Sequence, residues 1–195
     1  MATDEQLLAA YLKGDESALS ELVSRYQQEL FSFLQRFVND AAVADDLFQE
    51  TFVQVYRHAA SFDLKRKFRP WLFTIAANRA RDYLRLTMRQ PTVSLDGGGG
   101  SDGEGGTLAD RLKSDEPTPL DNAQLGEDAR RVRDVIDRLA PIYREVLLLS
   151  YFNRFAYQEI AEMLHLPIGT VKSRLHGALV AFERLWGSRL EHTEK

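Results

Sequence analysis

Between Asp96 and Gly106 the chain reads Asp-Gly-Gly-Gly-Gly-Ser-Asp-Gly-Glu-Gly-Gly, seven glycines in eleven residues with every other position polar. Glycine loses more backbone freedom on ordering than any other residue, and this run has no apolar side chain whose burial would offset that loss. Pro117-Thr-Pro119 follows shortly after it. Residues 91–121 therefore read as a flexible acidic linker, dividing the 195-residue chain into an N-terminal part, 1–90, and a C-terminal part, 122–195. As a coil such a linker spans on the order of 30 Å, and fully extended it reaches ~100 Å. Glycine-rich loops also cradle phosphates, but those need Gly-Lys-Ser/Thr opening a helix after a strand. No such lysine or strand stands here.

Both flanks carry helical periodicity. Thr3 with Gln6 forms a capping box before Leu7, Leu8, Tyr11 and Leu12. Gly14-Asp15 stops that helix and starts another, whose Leu19, Leu22, Val23, Tyr26, Leu30, Phe33, Leu34 and Phe37 recur at three-to-four spacing. Asn39-Asp40 interrupts, and Ala44, Leu47, Phe48, Phe52, Val55 and Tyr56 resume. A fourth helix is expected from near Pro70, a favourable first-turn residue. Beyond the linker the pattern predicts helices over about 123–139, from Pro141, over 156–164 and over 168–186. No stretch alternates with period two. The expected fold class is all-α, two small helical bundles joined by the flexible acidic linker.

The charge balance looks unhelpful until it is cut into segments. The total is −4, yet residues 1–56 carry −7, residues 57–95 carry +7, residues 96–128 carry −7 and residues 129–195 carry +3. Blocks of this kind point to polyanion contact in the basic parts, with solvated helix faces as the plainer reading. The chain has no Cys, which excludes a disulfide frame, a thiol catalyst and Cys-based zinc ligation, and fits a reducing compartment. No apolar run approaches the ~18 residues of a membrane span, and the acidic start resembles neither a signal nor a transit peptide. A soluble, cytoplasmic protein without membrane insertion is expected. His165 and His176 lack acidic partners at ligand spacing, so neither metal nor other cofactor is expected.

The most informative stretch is Ala156-Tyr-Gln-Glu-Ile-Ala-Glu-Met-Leu164, a break at His165-Leu-Pro167, then Ile168-Gly-Thr-Val-Lys-Ser-Arg-Leu175. Tyr157, Ile160, Ala161 and Leu164 share one face, and Val171, Leu175, Leu179 and Phe182 share another. Small Ala161 permits close approach, and Pro167 forces the second helix to restart at an angle. This is the plan of a helix-turn-helix, whose second helix enters the major groove. Thr170 is placed to cap that helix, and Gly169 and Thr170 bring its first-turn N–H groups to a phosphate. Lys172, Ser173, Arg174 and His176 would project from its exposed side, Arg reading guanine and Lys and Ser serving phosphates or bases.

The run from Tyr157 to Leu175 resembles the DNA-reading region of extracytoplasmic-function sigma factors, and Arg144-Glu-Val-Leu147 resembles the helix before it. An N-terminal partner is present. Ala44-Asp-Asp-Leu-Phe-Gln-Glu-Thr-Phe52 resembles that family's polymerase-docking helix, which implies core RNA polymerase contact by Asp45, Asp46, Leu47, Gln49, Glu50 and Phe52. An acidic polar face of this sort complements basic residues on a partner coiled coil. Phe68 to Arg85 resembles the family's promoter-melting segment. Melting needs aromatic surfaces for unstacked bases and cations along the strand. Lys65, Arg66, Lys67 and Arg69 form a cationic cluster before the helix, and Asn78, Arg79, Arg81 and Arg85 form a stripe along it. Trp71 is either a wedge against the duplex or a core residue.

The resemblance covers about 10–90 and 123–188. It implies a non-enzymatic sigma factor whose partners are core RNA polymerase and promoter DNA, with an anti-sigma protein as a further candidate and no small-molecule substrate. It also implies that the acidic linker lies in the polymerase's RNA path. The chain departs from the usual pattern at Ala77 and Gly177, where family members carry basic residues, and at Ala156, where a capping Ser is usual. The alternative is a helix-turn-helix regulator that does not join polymerase.

Overall fold

The computed structural model describes residues 1–89 and 122–193, so the expected 91–121 linker lies outside the described residues. Helix α1 spans Asp4–Leu12 and opens with the expected capping box: Thr3 Oγ1 accepts from the Gln6 N–H at 3.2 Å while Gln6 Oε1 accepts from the Thr3 N–H at 2.9 Å. Gly14, at φ +101°, turns the chain through a conformation closed to most residues. Asp15 then caps α2, Glu16–Val38, its Oδ1 accepting from the Ser17 N–H at 3.1 Å. Asn39 ends α2 in the left-handed region, and Asp40 accepts from the N–H groups of Ala42 and Val43 to start α3, Ala41–His58. The Asn39-Asp40 break is thus one helix stop and one helix start.

A single 3-10 turn, Ala59–Ser61, leads through a short loop to α4, Phe68–Arg89. The helix begins two residues before Pro70 because Glu5 Oε1 accepts the Phe68 N–H at 2.8 Å, so a side chain from α1 does the work of a cap. Pro70 then occupies the first turn, where its missing N–H costs nothing. Beyond the undescribed segment come α5, Asn122–Asp137, and α6, Pro141–Leu147, which runs on as a π-helical turn over Leu148–Phe152. Helices α7, Tyr157–Leu164, and α8, Ile168–Thr193, complete the described chain. Among the described residues there is no strand. The all-α expectation holds.

The core is aromatic at its centre. Phe31, Phe33, Phe37, Phe68 and Phe73 are each at most 2% exposed, and Phe33 stacks obliquely on both Phe37 and Phe73. The two halves do not stand apart on their tether. Buried residues from Leu7 to Ala178 form a single cluster. Phe73 meets Phe155 edge to face at 5.1 Å, and the Arg36 guanidinium lies 4.7 Å over the Phe152 ring. Arg144, almost fully buried on α6, donates to the carbonyls of Ile136 at 3.1 Å, Leu139 at 3.2 Å and Asp137. Its fourth bond crosses to the N-terminal half, reaching the Phe37 carbonyl at the end of α2 at 2.9 Å.

Three local expectations need correction. Helix α8 begins at Ile168, so Thr170 sits inside the first turn and its N–H donates to the Pro167 carbonyl at 2.9 Å rather than its side chain capping the helix. Tyr157 and Leu179 are exposed, not core, whereas Met163 and Ala178 are buried, so each helix meets its neighbour on a face slightly rotated from the one periodicity suggests. The loss of a capping Ser at Ala156 is half compensated, since Glu159 Oε2 still accepts the Ala156 N–H at 3.0 Å.

Candidate nucleic-acid interface

Helix α3 buries Ala44, Leu47, Phe48, Thr51 and Val55, with Val43 and Phe52 packed partly against the same core. Asp46, Gln49 and Glu50 are exposed on the outer side, and Val53, 46% exposed, continues it one turn on. Asp45 is half-buried and accepts weakly from the Gln49 side chain at 3.4 Å, which aligns the amide along the helix. Leu47 does not belong to this face. It is a core residue, and its inward side chain supports the ridge rather than touching a partner. Phe52 is half-buried against Phe48 at 5.1 Å. The sequence pattern missed Val53, an apolar spot on an otherwise polar ridge.

Next to α3, the first half of α4 presents its cations. Lys65 and Arg66 are exposed on the preceding loop. Lys67 is exposed as well but reaches Glu159 on α7 at 3.0 Å. Arg69 is the most constrained of the group: it pairs with Glu29 on α2, donates to the Asn153 carbonyl at 2.7 Å, and lies 4.1 Å over the Phe155 ring. Trp71 is a partly buried core residue that also reaches a cleft. One side packs on Phe62 at 4.5 Å and on Phe68, and the other lines a cleft of about 530 Å³ shared with Lys67, Glu159 and His165.

Further along α4, Asn78, Arg79, Arg81 and Arg85 come together as expected, lining a groove of about 380 Å³ with Gln54 and His58 from α3. Those two α3 residues were not anticipated; they lie a turn apart, and only the packing of α3 on α4 brings them in. Within the groove Asn78 accepts from Arg81, and Arg85 pairs with Asp82 at 3.2 Å. Arg81 Nε also lies 3.2 Å from the Glu145 carboxylate, without the alignment of a hydrogen bond. Glu145 itself is 2% exposed, and burial pushes its carboxyl up to about 7 against the pull of Arg81 and Arg174. Ala77, where a basic residue was noted as missing, is fully buried.

On α8, Val171, Leu175 and Ala178 are buried, and Gly169, Lys172, Ser173 and His176 are exposed. Thr170 and Arg174 are half-buried on the flank, with Arg174 close enough to act on Glu145. The Ser173 hydroxyl donates back to the Thr170 carbonyl at 3.0 Å, so it is spent locally in this arrangement. Gly177 has a positive reason to be glycine: a Cβ there would lie 3.0–3.2 Å from the Tyr143 ring. A basic residue at this position would need the Tyr143 ring to shift.

Among the described residues no group of His, Asp and Glu could hold a metal ion, and no helix is long and apolar enough to cross a membrane. The arrangement offers one acidic ridge, one cationic groove and one partly exposed basic helix face, the equipment of a protein that binds other macromolecules. Comparison with known proteins agrees. The chain matches sigma-70 region 2 over residues 22–90 and sigma-70 region 4 over residues 129–182. It is 33% identical over 164 residues to the ECF RNA polymerase sigma factor SigW of Bacillus subtilis, covering 84% of this chain and 86% of SigW. It is 32% identical over 182 residues to the RNA polymerase sigma-H factor of Pseudomonas aeruginosa, covering 93% and 92%. The same fold occurs in CnrH, solved with the cytosolic domain of CnrY, at a TM-score of 0.67 and 24% identity over 96% of this chain and 99% of that one. It occurs too in the sigma factor RpoE of Bartonella quintana, solved with the anti-sigma factor NepR, at a TM-score of 0.62 and 21% identity over 85% and 94%. The chain belongs to the extracytoplasmic-function sigma factors of RNA polymerase.

Proposed function

We propose a division of labour between the halves. Residues 1–90 dock on core polymerase through the α3 ridge of Asp46, Gln49 and Glu50, with Asp45 positioning Gln49, while Lys65, Arg66, Arg79 and the groove at Asn78 read and help melt the downstream promoter element. Residues 122–195 read the upstream element through α8, with Lys172 and His176 foremost. The protein works by binding alone, in the cytoplasm, with no chemical turnover, and an anti-sigma protein is a further partner. The observation that carries this reading is the adjacency, on one small unit, of an exposed acidic ridge on α3 and a cationic groove between α3 and α4. Opposite charges on neighbouring faces suit two different partners held side by side.

Each reader contributes only a few cations. With Z of two to four phosphates neutralised, the salt slope is about −0.9Z, and affinity for duplex DNA is modest. Joining both readers to one polymerase raises the effective concentration of the second contact once the first is made. Run-off transcription with core polymerase on a promoter library tests the reading, and specific starts are expected. Asp46→Arg and Glu50→Arg should abolish core binding. A helix-turn-helix regulator acting without polymerase predicts that both substitutions leave function intact.

A further inference from the structure

The groove between α3 and α4 is lined by Gln54, His58, Ile75 and the α4 stripe, with no residue of the C-terminal half among them. Its cations are set to hold a nucleic-acid backbone. Arg79 is half-buried and has no partner among the described residues. The pair of Arg85 with Asp82 at 3.2 Å is exposed, so a phosphate displaces it at little cost. Cations on phosphates fix register and orientation but carry no sequence information. Reading a base needs a donor and an acceptor in fixed relation, and the groove holds two amides, Asn78 and Gln54.

The two amides are not equivalent. Asn78 accepts from the Arg81 guanidinium, so its carbonyl oxygen is committed along α4. Gln54 is half-buried, and its neighbours Thr51 and Val55 are fully buried, which fixes that side of α3 against the core. Its amide makes no hydrogen bond among the described residues. Gln54 is thus the amide of the groove whose carbonyl and NH2 are both unspent. Glu50, Gln54 and His58 form one row at four-residue spacing, and that row passes from the acidic ridge into the cationic groove.

We infer that Gln54, on the docking helix rather than on α4, is a specificity-determining residue of the downstream reader: its amide takes adenine at one position, accepting from N6–H and donating to N7, while Asn78 holds Arg81 in place.

A carboxamide matches that edge of adenine and no other base. Guanine offers two acceptors there, cytosine a lone donor, and thymine an acceptor beside a methyl group. Pairing with thymine leaves the edge exposed in the major groove, so the contact forms on the duplex and survives its opening.

The inference rests on the reading of this groove as the downstream promoter contact, and the test separates their failures. Holoenzyme assembled from core polymerase and the full chain transcribes a promoter library, with Gln54→Ala and Asn78→Ala beside the wild type. Alanine is the best helix former, so the α3 variant keeps its fold. Wild type should prefer adenine at one downstream position, and Gln54→Ala should reduce that preference at least about fivefold with other positions unchanged. Asn78→Ala should lower use of every promoter and keep the preference. Replacing that adenine by 7-deazaadenine removes the N7 acceptor; it should weaken open-complex formation by wild type about threefold or more, with no further loss in Gln54→Ala. If Gln54 serves docking or packing alone, Gln54→Ala lowers all promoters alike and leaves the base preference in place, which overturns the inference. So does a wild type with downstream preferences but none for adenine, or a 7-deazaadenine penalty equal in both proteins. Downstream indifference to every base, together with full activity of Arg79→Ala, defeats the groove reading and this inference with it.

Discussion

Replacing Glu145 by Gln removes one partner of an ion pair, yet it should stabilise the protein. Glu145 is 2% exposed, and burial drives its carboxyl from an ordinary 4.5 up to about 7 even though Arg81 on α4 and Arg174 on α8 both favour the charged form. Desolvation therefore outweighs the two cations together. At ~1.4 kcal/mol for each tenfold change in proton affinity, the carboxylate costs the folded chain about 3 kcal/mol above pH 7 relative to its neutral acid. Glutamine keeps the shape without the charge, but its amide must still find acceptors, so a net gain of about 1–3 kcal/mol is expected. In a chain of this size that raises Tm by roughly 2–4 °C per kcal/mol. The sign with pH follows from the raised value: the folded state holds the proton more tightly, so the group's contribution is fully present below its ordinary range and is lost as pH climbs through about 7. Thermal or urea unfolding of wild type and Glu145→Gln across pH 4.5–8 is the assay. The gap should be widest above pH 7 and close as both proteins are acidified. A variant less stable than wild type above pH 7, with a gap indifferent to acid, refutes the reasoning and makes the pair with Arg81 a net stabiliser.

Further expectations concern other contacts. Arg144→Ala strips hydrogen bonds from four carbonyls and should lower stability by about 2–4 kcal/mol in urea unfolding, with Arg144→Lys rescuing little because an ammonium cannot span that fork. Gly177→Arg must displace the Tyr143 ring and should cost about 1–3 kcal/mol by the same measurement, so that adding a cation weakens rather than improves the upstream reader. Lys172→Ala, on the exposed side of α8, should weaken upstream-element binding by polymerase holoenzyme uniformly across sequences and reduce the salt slope by about 0.9, read by filter binding at several salt concentrations.

What the sequence made legible is what physics keeps local. The Thr3–Gln6 box, the Gly14-Asp15 reversal and the Asn39-Asp40 corner are each settled within four residues, and each stands where expected. Helix α4 starts two residues ahead of Pro70 because its cap comes from Glu5, more than sixty residues earlier, which no local signal marks. The α3 ridge and the α4 stripe were legible because a helical period assigns faces. Leu47 was not, since a motif marks a stretch of chain without saying which of its members turn inward. The largest gap concerns what the cations face. Periodicity puts Arg69 and Arg81 on helix surfaces, but Asn153 and Glu145 lie across the linker, and nothing in Arg144-Glu-Val-Leu147 marks its carboxylate as buried. Contact between the halves is a property of tertiary packing and leaves no mark on local sequence.

The π-helical turn over Leu148–Phe152 has a practical corollary. Val146, Leu147, Leu148 and Leu149 are buried in succession, a run no single helix face can hide. The widened turn packs on α2, and just beyond it Phe155 seats on Phe73. This segment is shared property: it serves as core for both halves at once. A fragment beginning at residue 122 would carry Phe155 and the α2-facing side of that turn into water as an uncovered apolar patch. Such a fragment should self-associate at concentrations where the intact chain stays dispersed, and dissecting the protein at its glycine-rich run would then yield pieces less well behaved than the whole.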